Sequence, residues 1–137
     1  MAIKARGVSQ AMRRTDQIFN TVKAKKVVRA LKSASYIIRT ESATMTPVAT
    51  STLINSQFDT IISNGVRITA KIGYSAAYAL YVHNAPGSLL GTHTPRTGKL
   101  KGKGNVWDKT GEPEFLEKAV NKTRSLVDSA IKREMKL

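Results

Sequence analysis

Residues 54–73 read INSQFDTIISNGVRITAKIG, and this stretch decides the fold. Ile54, Ser56, Phe58, Thr60 and Ile62 alternate against Asn55, Gln57, Asp59 and Ser63. Alternation of period two marks a strand with one face covered. Asn64-Gly65 follows, and a type I′ turn needs positive φ at both central positions, which this pair supplies. Val66, Ile68, Ala70 and Ile72 then alternate against Arg67, Thr69 and Lys71, and Gly73 closes the run. The reading is an antiparallel hairpin. A lone two-stranded ribbon is marginal in water. Helices must therefore cover it, and a third strand is expected at 92–97 or 105–108, or from a neighbouring subunit.

Before the hairpin, the pattern is helical from Val8 to Ala43. Met12, Phe19, Val22, Val27, Leu31, Ala34 and Ile38 recur at helical spacings, and no Pro or Gly intervenes before Thr46. This is one long amphipathic helix, or two broken near 20–25. A helix of about 35 residues spans about 50 Å, more than a domain of this size is wide. Part of it should project and need a partner. Pro47 ends it, by disfavouring the α conformation at Thr46.

Beyond the hairpin stands YSAAYALYVHNAP, residues 74–86. Its alanines favour a short helix of two to three turns. Tyr74, Tyr78 and Tyr81, four and three apart, would share one face and pack over the hairpin. His83 would end that helix, where an imidazolium meets the negative end of the dipole. Residues 84–113 are a long polar stretch without periodicity, and such a loop in a small domain points to function or conditional order. Trp107 near its end should pack with Phe115 against the last helix or a neighbour. From Glu114 a helical stripe returns: Phe115, Ala119, Val120, Leu126, Val127, Ala130 and Ile131. Glu112, Glu114 and Glu117 suit its positive end, and Lys132, Arg133 and Lys136 its negative end. Residues 1–137 thus read as one α+β domain: a small antiparallel sheet built on a hairpin, packed by a long first helix, a short middle helix and a last helix.

The net charge is +14, and its distribution is uneven. Residues 1–40 hold ten bases and one acid, and residues 96–104 hold four bases and no acid. Such segments attract polyanions or acidic protein surfaces. Arg13, Arg14, Lys23, Lys25 and Lys26 on the first helix, with Arg96, Lys99, Lys101 and Lys103 in the loop, are the expected contacts to DNA or an acidic partner. Aromatics on the first helix are sparse, so base stacking is not expected, only backbone contact. GKLKGKGN, residues 98–105, lacks the order of a phosphate-binding loop and is a flexible cationic strip.

Chemistry finds little to use. There is no cysteine, and the two histidines have no acid within ten residues. A cysteine-based zinc site cannot be built from these parts, and no elbow motif marks a triad. The acids near 112–117 are explained by a helix start. No catalytic residue, cofactor or metal is expected, and the chain reads as a non-enzyme. The basic N-terminus lacks the apolar core of a secretory signal, and its helical pattern runs past the length of a cleavable transit peptide. No run of about 18 apolar residues is present to cross a membrane.

Three segments together resemble a known family. TPVATSTLINS (46–56) resembles a Thr-Pro pattern leading to Gly-x-Leu-x-x-Ser. KIGYSAAYALYVHN (71–84) resembles a Gly before a Tyr/Ala helix that ends in Tyr-Val-His-Glu. GEPEFLEKAV (111–120) resembles Gly-x-Pro-x-Phe-Leu-x-x-Ala. In this order, between two helices, they are similar to the neck or tail-completion proteins of tailed bacteriophages, also described as minor tail components. Ser51 stands where that family often has Gly, and Asn84 where it often has Glu. The resemblance covers about residues 25–135. It implies a structural virion protein that forms a homo-oligomeric ring at the head–tail junction, joining connector to tail. Its partners would be other connector, terminator or tail proteins and the DNA backbone in the channel. It would reside in the virion neck, and in the host cytoplasm during assembly. Tyr74, Tyr78, Tyr81, His83, Trp107 and Phe115 are the expected assembly interface. A second reading is a free-standing module that binds nucleic acid without regard to sequence.

Overall fold

The computed structural model describes residues 7–48, 51–65, 67–86 and 110–136. The elements are α1 (Val8–Met45), α2 (Thr52–Asn55), β1 (Gln57–Ser63), β2 (Ile68–Tyr74), α3 (Ala79–Asn84) and α4 (Phe115–Met135). This is the α+β arrangement expected from the alternating and helical patterns. The expected third strand falls outside the described residues, and among those residues the sheet has two strands.

α1 is a single unbroken helix of 38 residues, with no break at 20–25. Nothing in its interior lacks a helical N–H or forces a positive φ. It stops where Pro47 requires, with Thr46 extended at φ −73° and ψ 125°. The Thr46 hydroxyl donates back to the Ser42 carbonyl at 2.7 Å and satisfies one of the last carbonyls.

α4 packs antiparallel to the second half of α1. Three contacts fix the register. Lys26 Nζ donates to the Lys136 carbonyl at 2.9 Å, Arg29 pairs with Glu134, and Lys122 donates to Glu41. The Glu41 carboxylate raises the Lys122 pKa above the ordinary lysine value. Small residues line the closed surfaces of the two helices. On α1, Ala30 and Ala34 are buried on the face that carries Glu41 and Ser35 and Ser42 on the face that carries Arg39, and on α4 Ala119, Thr123 and Ala130 are buried. Small side chains let two helix axes approach, and the burial rather than the exposed ion pairs holds them.

The hairpin lies along another side of α1. Its open end sits at Arg39, which bonds both Gln57 and Asp59. Its turn end reaches the helix at Asn20, Thr21 and Ala24, where Ser63 and Ile68 line the same groove. Seven strand residues at about 3.3 Å each match the rise of this part of α1. Within β2 the expected alternation holds: Ile68, Ala70 and Ile72 are half-buried and Thr69 and Lys71 exposed.

β1 departs from expectation in two ways. Residues 52–55 form one helical turn, α2, so Ile54 is not in the strand. The ladder pairs Ser63 with Ile68, and the Asn64 N–H donates to the Arg67 carbonyl at 2.9 Å. Asn64 therefore flanks the turn instead of forming its first central residue, although Gly65 does take φ +74°. With this register Ile61 is half-buried and Ile62 faces out. The offset from an Asn-Gly-centred turn is two residues, so Ile61 stays on the face of Ile68, Ala70 and Ile72 in either register.

The core gathers Met45, Leu53, Ala79 and Phe115, with Tyr74, Ala76, Val82 and Leu116 against it. It lies where the C-terminal end of α1, α2, the end of β2, α3 and the start of α4 meet.

Candidate assembly interface

The three segments that carry the family resemblance converge on this core. Gly111 lies on Pro47: a Cβ there would stand 2.5 Å from the proline Cγ and 2.7 Å from its Cα. Next to it the Glu112 N–H donates to the Met45 carbonyl at 2.8 Å. The Glu114 N–H donates to the His83 carbonyl at 2.8 Å. The Ser75 N–H donates to the Ser56 carbonyl at 2.9 Å. Residues 111–114 thus tie the end of α1 to the end of α3 before α4 begins. Glu114 takes φ 55° to make that entry.

Phe115 is 1% exposed and is the hub. Tyr74 and His83 each meet its ring edge-on, both with centroids 5.1 Å away. The Tyr74 hydroxyl closes a polar cluster with Ser42 Oγ at 2.7 Å, Thr46 Oγ1 at 2.9 Å and Gln57 Nε2 at 3.0 Å. Gln57 also donates to the Arg39 carbonyl. Every polar group of that cluster has a partner, which is what a buried hydroxyl requires. The cluster fixes the joint between α1, β2 and α4, and it leaves no oriented, unpaired nucleophile or base. Among the described residues no group of three His, Asp or Glu is placed to hold a metal.

The tyrosine trio is therefore not one helical face, contrary to the spacing-based expectation. Tyr74 ends β2 and turns inward, Tyr78 precedes α3, and Tyr81 lies within it. Only six residues of this segment are helical, and the buried side chain is Ala79. Tyr78 and Tyr81 are 43% and 70% exposed, and neighbouring Leu80 is 73% exposed. The hairpin's last strand runs one residue further than Gly73, which removes Tyr74 from the helix. His83 lies in the last turn of α3, as expected, with Nδ1 3.3 Å from Asn84 Oδ1. Trp107, Arg96, Lys99, Lys101 and Lys103 lie outside the described residues.

The first half of α1 is an open surface. Every described side chain from Ser9 to Lys25 is exposed. Met12, Ile18, Phe19 and Val22 are 64%, 64%, 54% and 41% exposed. Arg14, Lys23 and Lys25 flank them, and Arg13 is exposed on another face. Lys26 differs: it bonds the end of α4 and belongs to that joint. Ile18 was not part of the sequence-derived stripe, yet its spacing of four from Val22 places it there. An open groove of about 580 Å³ runs between α1 and the hairpin, lined by Asn20, Thr21, Ala24, Lys25, Val28, Ser63 and Ile68. No helix among the described residues is long and apolar enough to cross a membrane.

No protein-family model matches the chain, and no curated protein or solved structure is significantly similar to it.

Proposed function

We propose that this chain is a non-enzymatic structural subunit of the neck of a tailed bacteriophage, a tail-completion protein that joins the connector to the tail in a ring of copies. One observation supports the reading above the others. The three resemblance segments, far apart in sequence, meet through Pro47–Gly111, His83–Glu114 and Tyr74–Phe115. Motifs that build one joint have a physical reason to occur as an ordered set. Ser51 adds to this. It takes φ 60°, the left-handed region that suits the Gly found there in the family pattern.

The surface fits a subunit completed by neighbours. A basic helix arm with apolar residues in water and a two-stranded ribbon both gain from a partner. The direct test is genetic. Deleting the coding sequence should leave filled heads and finished tails that do not join, and supplying the protein in trans should restore joining. Normal head–tail joining after deletion would remove the proposal.

The second reading, a sequence-independent nucleic-acid-binding module, draws on the exposed bases of α1. It calls for duplex binding by the purified monomer that weakens steeply with salt. Absence of retention on DNA at low salt would eliminate it.

A further inference from the structure

α1 carries an apolar stripe that outruns its helical partner. Lys26, Arg29 and Glu41 are residues through which α1 bonds α4. At 3.6 residues per turn, Met12, Phe19 and Val22 lie on that same face, with Ile18 at its edge. α4 ends level with Lys26. The seam between the helices continues along α1 for about 25 Å at 1.5 Å per residue, with apolar side chains in water.

The shape of this step is specific. Packed helix axes lie about 8–10 Å apart, so the end of α4 stands as a shoulder one helix thick beside the bare stripe. A helix laid in line with α4 fits the step. A flat bilayer approaching the stripe meets the shoulder first. Charge narrows the choice further. Arg14 and Lys25 flank the stripe on one side and Lys23 on the other. From Ser9 to Arg29 there are six bases and one acid, Asp16. The same segment of a second copy would bring like charges together. A DNA duplex would engage the bases but leave the four apolar side chains in water.

We propose that this step receives an acidic amphipathic helix from a different protein. Its apolar face would cover Met12, Ile18, Phe19 and Val22, and its carboxylates would meet Arg14, Lys23 and Lys25. The mode is a helix laid against a helix seam, with anchors at helical spacing and flanking charges that select the partner. This inference does not depend on the neck reading, because it rests on the surface of the isolated chain.

The test uses the full chain and a synthetic three-heptad peptide with Leu at the seam positions and Glu beside them, titrated by fluorescence anisotropy. Binding is expected, with at least a tenfold loss in the double variant Phe19→Glu, Val22→Glu and none in Gln10→Ala, which lies on another face. Thermal midpoints should be equal for all three, since the altered side chains are exposed. The same peptide with Lys in place of Glu should not bind. Lack of binding by the acidic peptide, or equal binding by the double variant, would overturn the proposal. So would tighter binding of phosphatidylserine vesicles or of a DNA duplex lost in the same double variant, or a sedimenting dimer that the double variant dissolves.

Discussion

Ser51 shows how a single residue exposes both a strain and its remedy. Its φ of 60° costs a side-chain-bearing residue about 1–2 kcal/mol, and its own side chain makes no capping hydrogen bond in return. Ser51→Gly should therefore stabilise the fold by about 0.5–1 kcal/mol after the extra chain entropy of glycine is subtracted. The urea midpoint should rise at unchanged slope, and a fall would contradict the conformational assignment. Tyr74 is the opposite case, a residue whose polar end is fully engaged. Tyr74→Phe leaves Gln57 bonded to Arg39 and Thr46 bonded to Ser42, so the loss should stay near 1–2 kcal/mol. A neutral result would mean that the hydroxyl cluster does not hold the joint. Neither residue was legible as such from the chain. The spacing of Tyr74, Tyr78 and Tyr81 fits a helix, but β2 claims the first of them through its pairing with Gln57. A positive φ at Ser51 had no local signal beyond the family pattern with Gly.

At the scale of elements, local pattern carried α1, β2 and α4 well, because each has one long face of consistent period. It failed at the turn and at contacts between distant segments. Asn64-Gly65 has strong turn chemistry, yet the ladder closes at Ser63–Ile68, two residues off the register that pair would centre. It also could not show that residues 111–114 cross to the ends of α1 and α3, since those contacts link positions more than 60 apart in sequence for Met45 and Pro47. Two measurements belong here. Gly111→Ala forces a methyl to within 3 Å of the Pro47 backbone, and about 1–3 kcal/mol of stability should be lost to overpacking. An unchanged unfolding midpoint would contradict that close approach. Hydrogen exchange tests the two halves of α1. Every side chain from Ser9 to Phe19 is exposed, so burial adds little to the hydrogen bonds of this half. Its amides should exchange at least tenfold faster than those from Ala30 to Met45, which are packed on both α4 and the hairpin. Uniform protection along α1 would mean that the arm is already covered.

For the whole molecule, charge and shape point the same way. The net charge of +14 was visible from composition, and so was the excess on the first helix. The step beside the end of α4 was not, because it arises from where two helices stop relative to each other. Of the residues expected to form the interface, Phe115, Tyr74 and His83 build the internal joint, while Tyr78, Tyr81 and the α1 arm face outward. The fold therefore separates a closed joint made from the resemblance motifs from an arm whose apolar and basic side chains are exposed. A three-dimensional reconstruction of the tailed particle is the most direct measurement of this account. It predicts a ring of copies of this chain at the head–tail junction, with the stripe from Met12 to Val22 covered by a neighbouring protein. A neck fully traced without this chain would contradict it.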